Sequence, residues 1–304
     1  MRRTSRLQTK ETLYGILFIS PWILGFLIFQ LYPIIMSLYY SFTNFSLIKT
    51  PDWIGLSNYI LLFTKDKNFY LALSNTLYIA LIGVPVQLVF SFICALLLNQ
   101  KIKSQVFFRT IYIVPTIMPA VATAILWRWV FNPEIGLVNS LLAIFHINGP
   151  TWFADPNWAK PSLIIMLCWT VGSTIIIYLA GLQGVPTELY ESAEIEGANG
   201  LQKLGFITIP LISPITLFNL ITGLIYAFQM FTEPFTLSGG TDASTLGRPQ
   251  GSLLFYSIYL YQNAFFFTRM GKASAMAWVL LVIILIVTLI TLRTGSRWTN
   301  YEIR

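Results

Sequence analysis

Five polar side chains recur along one apolar stretch of this 304-residue chain: Asn219, Thr222, Tyr226, Gln229 and Glu233, separated by 3, 4, 3 and 4 residues. At about 100° per residue that spacing gathers them on one helical face roughly 80° wide. Amide, hydroxyl, phenol and carboxylate groups suit a ligand rich in hydroxyls, whose apolar ring face an aromatic side chain can cover. The same residue types also serve as polar glue between packed helices, so the spacing leaves both roles open. Gln87, Trp169 and Ser173 are further polar or amphipathic residues in apolar runs, and packing is their simpler role. Metal and nucleotide chemistry find no motif here. His146 is the single histidine, which rules out HExxH or paired-His ligation, and Gly-Lys occurs only at 271–272, without the upstream glycine of a phosphate loop.

A second polar cluster is the stretch "ELYESAEIEGANGLQKLGFITIPLISP", residues 188–214, which sets Glu188, Glu191, Glu194 and Glu196 between two very apolar runs. Thr187 after Pro186 can cap a helix whose early turns carry Glu188 and Glu191, on the favourable side of the dipole. Gly197 and Gly200 offer positive-φ positions for a turn. A second short helix is expected over about 201–209, ending at Pro210. Ser213-Pro214 would then cap and open the next helix. By itself such a segment could be a solvated loop.

The elements that must position these residues follow from composition. Hydrophobic residues make up 56% of the chain and charged ones 10%, against roughly 25% charged in a soluble domain. Uncharged runs at 12–48, 68–100, 110–127, 161–187, 204–232 and 273–292 can each hold the helix of about 20 residues that crosses a bilayer. They lack strict alternation, which speaks for helices and against barrel strands. The expected spans are 13–38, 73–98, 108–131, 161–184, 213–235 and 271–293, in a single all-α membrane domain with a connecting loop at 185–212. Residues 135–154 read as an external loop with a partial helix. Residues 249–268, crowded with Tyr and Phe but broken by Gln262 and Asn263, read as a helix lying at the outer surface, with a seventh span as the alternative.

Basic residues set the orientation. An inside N-terminus places Arg2, Arg3, Arg6, Lys10, Lys101, Lys103, Arg109, Lys203, Arg293, Arg297 and Arg304 in the cytoplasm. Lys49, Lys65, Lys67, Lys160, Arg248, Arg269 and Lys272 fall outside, and Arg128 snorkels at the outer end of its helix. Residues 188–214 are then cytoplasmic, as are both termini. The first uncharged run is too long for a secretory signal and reads as a retained helix. The net charge of +7 fits inward loops beside anionic lipid, not a nucleic-acid partner. Cys94 and Cys168 sit in apolar runs as small packing residues.

"ESAEIEG", nine residues, then "ITIP" resembles the EAA signature of the membrane subunits of binding-protein-dependent ABC importers. Glu191, Ala193, Gly197, Ile207 and Pro210 fall on its spacing, while Ser192 and Ile209 depart conservatively from it. "WIGLSNYILLF" at 53–63, "SNTLYIA" at 74–80, "LWRWVFNPEIGLVN" at 126–139, "FTEPFTLSGG" at 231–240 and "GKASAMAW" at 271–278 are similar, in this order, to six-span sugar permeases of the lactose, glycerol-phosphate and maltose importer type. The family's "TGGGP" loop is altered here to "SGGTDASTLG", in a longer outer loop.

The resemblance implies a type I importer permease fold with six transmembrane helices in a bacterial or archaeal cytoplasmic membrane. It implies a second, similar permease as partner, against which the first span packs, two ATPase subunits that bind ATP and Mg, an extracytoplasmic solute-binding protein and a carbohydrate substrate. No cofactor is expected in this chain and no enzymatic activity of its own. Glu188, Glu191, Ala193, Glu194, Gly197, Ile207 and Pro210 would form the ATPase-coupling element. Asn219, Thr222, Tyr226, Gln229 and Glu233 would line the substrate path. The alternative is a secondary, ion-coupled transporter, against which the spans offer no evident buried acidic or basic coupling site.

Overall fold

The computed structural model describes residues 6–46, 48, 50–100, 104–240, 242 and 244–299, with side chains from residue 10 onward. Several basic residues used for orientation, Arg2, Arg3, Lys49, Lys101, Lys103 and Arg304, lie outside the described residues, as does the side chain of Arg6. The described residues are mostly helical, with an isolated antiparallel bridge between Thr43 and Trp53.

Along the described residues run the helices α1 (Lys10–Ser41), α2 (Ser57–Thr64), α3 (Lys67–Asn99), α4 (Gln105–Ile117), α5 (Ala120–Val130), α6 (Leu137–Ile144), α7 (Ala159–Trp169), α8 (Gly172–Gln183) and α9 (Thr187–Ile195). Then come α10 (residues 200–229), α11 (Thr232–Leu237), α12 (Tyr256–Tyr261) and α13 (Met270–Gly295). Four helical stretches, Lys10–Ser41, Lys67–Asn99, Gly200–Leu237 and Met270–Gly295, are long and apolar enough to cross a membrane. Counting each bent pair, α4 with α5 and α7 with α8, as one span gives up to six.

Proline explains both how the long helices continue and where the others break. α-Helical turns give way to π-helical ones at Leu27–Leu31, Ile79–Gly83 and Leu204–Thr208, and each ends two residues before a proline: Pro33, Pro85 and Pro210. Proline lacks an N–H and its ring clashes with the carbonyl four residues back; a wider turn there removes the conflict. The helix therefore runs through the proline. Met118 has no such relief. As the residue before Pro119 it is driven to extended backbone (ψ 138°), and α4 and α5 meet at 104°. The expected straight span over 108–131 is thus two short helices. The span expected over 161–184 is likewise bent, by 52° between α7 and α8. At that bend Gly172 lies so close to α4 that a Cβ would sit 2.1 Å from the Tyr112 carbonyl oxygen.

The chain divides into two compact units. The first comprises Met1–Lys65 and Asn263–Val279. Here Asn58 donates to the carbonyls of Ser41 and Thr43 at 2.9 and 2.8 Å, and Trp278 Nε1 donates to Ser37 Oγ at 3.1 Å. α1 leaves Phe18, Trp22 and Phe29 exposed, an apolar surface for lipid or protein.

The second unit comprises Asp66–Gln262 and Leu280–Arg304. α3, α7 and α10 meet in one apolar core that includes Ile79, Val84, Leu163, Met166 and Phe228. α3, α8 and the start of α10 form another, with Cys94, Ile175, Tyr178 and Ile212. Within residues 249–262 the side chains of Leu253, Phe255, Tyr256 and Ile258 are buried in the protein, and α12 is only six residues long. The segment is pinned to α3 by polar contacts that periodicity does not reveal. Asn75 donates to the carbonyls of Gly251 and Leu254, Tyr256 N–H donates to Thr76 Oγ1, and Tyr259 donates to the Asp66 carboxylate.

Candidate functional site: an exposed elbow joined by one helix to a polar cavity

α9 begins at Thr187 with Pro186 in the cap position and no side-chain cap, so Thr187 is the first helical residue and not the cap. Glu188, Glu191 and Glu194 are exposed and Ala193 is half-buried. The helix stops at Gly197, whose φ is +82°. Gly197 N–H donates to the Glu194 carbonyl at 3.0 Å and Ala198 N–H to the Ala193 carbonyl at 2.9 Å, the paired closure of a Schellman motif. No atom lies within 4 Å of where a Gly197 Cβ would stand, so backbone conformation alone requires glycine.

Gly200 does not share that role. It is the first residue of α10, capped by Asn199, whose side chain accepts from Gln202 N–H while Gln202 Oε1 accepts from Asn199 N–H. The separate helix expected over 201–209 is absent as such. Gly200–Lys203 continues through the π turn into Ile209–Gln229, and Pro214 lies inside the helix instead of opening one. Lys203 Nζ pairs with Glu194 Oε1 at 2.5 Å and Tyr190 shares a hydrogen bond with Thr208 at 2.9 Å, tying α9 to α10. Ile207 packs against the second core and Pro210 is half-buried. A groove of about 480 Å³ opens between the helices, lined by Leu189, Ser192, Glu196 and Phe206 among others. Ile195, Leu201 and Phe206 are each at least 80% exposed around it. An apolar rim beside acidic side chains is a surface built to be covered.

Asn219 lies about 30 Å farther along α10 at about 1.5 Å per residue. It lines a cavity of about 380 Å³ with Thr222, Tyr226, Glu233, Gln87 and Ser173. Gln229 and Trp169 are not among its lining residues. The stripe is interrupted because α10 ends at Gln229: Met230 turns extended (ψ 124°), and Glu233 reaches the cavity from α11. Tyr226 hydroxyl donates to Glu233 Oε1 across that break. Glu233 is buried, so this part of the chain does hold a buried acid, contrary to the reading from sequence. Asn219 Nδ2 and Thr123 Oγ1 are buried without a hydrogen-bond partner. An unmade hydrogen bond at a buried amide costs about 1–3 kcal/mol, and two such groups on one cavity are poised for a polar ligand.

Thr123 was not legible as a cavity residue, because α5 faces the cavity only through the 104° bend. Pro119 after Met118 was the available signal. No group of three or more His, Cys, Asp or Glu residues placed to hold a metal occurs among the described residues.

Residues 87–298 match the family described as binding-protein-dependent transport system inner membrane component. The chain is 41% identical over 302 residues to the probable ABC transporter permease protein YesP of Bacillus subtilis, covering 99% of this chain and 96% of that one. It is 35% identical to the lactose transport system permease protein LacF of Rhizobium radiobacter, over 96% of each. It is also 35% identical to the arabinooligosaccharides transport system permease protein AraP of Bacillus subtilis, over 92% of this chain and 88% of that one. Among solved structures it resembles a chain of a bacterial ABC transporter that imports the acidic polysaccharide alginate. That likeness has a TM-score of 0.78 and 25% identity, covering 97% of this chain and all of that one. A structure of the alginate transporter with its pentasaccharide-bound periplasmic protein matches at TM-score 0.79, also at 25% identity, over 97% of each chain.

Proposed function

The chain belongs to the inner membrane components of binding-protein-dependent transport systems, and from that membership we propose that it passes a sugar or oligosaccharide through an ATP-driven importer by alternating access. The family sets aside the ion-coupled alternative. Its relatives serve lactose, arabinooligosaccharides and alginate, so the class of cargo is carbohydrate.

In this reading the elbow is cytoplasmic, with both termini on the same side, and the groove at Leu189, Glu196 and Phe206 receives an ATPase subunit. ATP and Mg bind to two such subunits and not to this chain. A second, homologous permease completes the path, a solute-binding protein delivers the sugar from outside, and lipid covers the remaining apolar surface. The single observation that carries the proposal is α10. One helix bears the docking elbow at its start and the orphan amide of Asn219 in its middle. The Gly197 closure, the Asn199 capping box and the Lys203–Glu194 pair fix α9 to that helix, so movement imposed on α9 reaches the cavity as a rigid-body displacement.

Gly197→Val tests this. A β-branched residue at φ +82° costs on the order of 1–2 kcal/mol and re-aims α9. The expected result is a permease that still pairs but loses ATPase copurification or substrate-stimulated hydrolysis in vesicles. Gly197→Asn, which tolerates positive φ, restores both. Wild-type coupling in Gly197→Val would reduce the elbow to a connecting loop.

A further inference from the structure

A second cavity, of about 520 Å³, lies beyond the first at the end of the fold remote from the elbow. The two share walls. α5 contributes Thr123 to the inner cavity and Arg128 to this one, about 7.5 Å along its axis, while α11 contributes Glu233 to the inner and Leu237 to the outer, about 6 Å apart. α5 and α11 pack along each other between them. The cavities therefore stand in series.

Their chemistry differs. The inner lining holds a carboxylate, Glu233, and no Lys or Arg; the outer lining holds Arg128 and Arg248 and no Asp or Glu. Phe131 and Phe153 give the outer cavity aromatic surface, and Asn132 and Thr151 give it neutral polar groups. Acidic residues occur next to lining residues in sequence but are not among the residues that line the cavity. Asp155 Oδ1 accepts from Asn157 N–H at 2.8 Å, the Asp242 carboxylate accepts from Ser244, and Glu134 is exposed. Arg248 comes from the loop that departs from the "TGGGP" pattern, a departure the importer reading by itself does not use.

We propose that this outer cavity is a subsite for a carboxylate-bearing sugar unit, held by Arg128 and Arg248 before the chain advances to the inner cavity. The inference rests on the importer reading and adds the charge of the cargo, on which the similar proteins differ: lactose and arabinooligosaccharides are neutral, alginate is acidic. Guanidinium groups match carboxylates as paired donors, and charge-assisted hydrogen bonds are about twice as strong as neutral ones. Beyond the outer cavity, the Glu233 carboxylate accepts hydroxyls and repels a second carboxylate, so a uronate is held at the outer subsite while its hydroxyl-bearing neighbour occupies the inner one.

The test uses the complete permease and ATPase assembly in nanodiscs, without solute-binding protein. The probes are radiolabelled trigalacturonate and its carboxyl-reduced, neutral counterpart. Wild type is expected to bind trigalacturonate at least about tenfold more tightly, with a preference that falls as salt rises. Arg128→Ala with Arg248→Ala abolishes the preference and changes neutral binding less than about twofold. Equal affinity for the two probes in wild type, or a preference surviving in the double variant, overturns the proposal. So does a double variant that loses association with the solute-binding protein while binding trigalacturonate normally, which would give the arginines to protein docking. Uptake driven by the transporter's own solute-binding protein is measured in parallel. If it persists, the importer reading stands whatever the fate of the subsite.

Discussion

Tyr226→Phe removes one hydroxyl and leaves the ring in place. In the structure that hydroxyl donates to Glu233 across the break between α10 and α11, and Glu233 is only 7% exposed. Losing a hydrogen bond to a buried charged group costs about 1.5–3 kcal/mol, a factor of roughly ten to over a hundred in whatever equilibrium the closed cavity governs. Glu233→Gln alone replaces the carboxylate by an amide whose oxygen still accepts from Tyr226, so its cost is smaller. With Tyr226→Phe already present, the amide no longer strands a charge and part of the loss is recovered. The double-mutant cycle is therefore predicted to show coupling above about 1 kcal/mol, both in thermal stability of the purified complex and in the substrate concentration that half-saturates uptake. Additivity within about 0.5 kcal/mol would mean that the two side chains do not depend on each other and that the bond across the break holds nothing closed.

Two further substitutions test the cavity and the bend. Asn219→Leu removes the orphan amide, so the protein should keep or gain about 1 kcal/mol of stability while uptake falls at least about tenfold; melting the purified complex and assaying transport in the same preparation checks both. Gly172→Val puts a side chain where a Cβ already meets the Tyr112 carbonyl oxygen at 2.1 Å, and should cost at least about 3 kcal/mol, read as lost yield of folded protein in detergent.

Much of this was legible in the sequence, for reasons that differ from place to place. The long apolar runs announced the spanning helices because lipid leaves the backbone no other partner. Gly197 was readable as the turn because only positive φ could close α9 so abruptly. The polar stripe was found by its spacing, but the spacing could not say that α10 stops at Gln229, which leaves that residue outside the cavity while Glu233 returns to it from α11. Prolines misled in two ways. Pro210 suggested a helix end and Pro214 a helix start, yet the chain runs from the π turn at Leu204–Thr208 through both as one helix. At Pro119 the signal for a break is present but the apolar run over 108–131 reads through it as one span, where the two helices meet at 104°. The burial of residues 249–262 was hidden because it rests on Asn75 and Thr76 of α3, more than 170 positions away.

In the proposed importer α10 is the rigid link between elbow and cavity, and the ratio of sugar transported to ATP hydrolysed in reconstituted vesicles measures that link directly. Leu204→Gly with Ile209→Gly softens the helix on both sides of Gly205, at roughly 1 kcal/mol per glycine, and leaves the groove residues Leu189, Glu196 and Phe206 untouched. The prediction is that the ATPase still copurifies and hydrolyses ATP while transport per ATP falls at least about fivefold. An unchanged ratio, with α10 softened and docking intact, would contradict the claim that this helix carries the stroke.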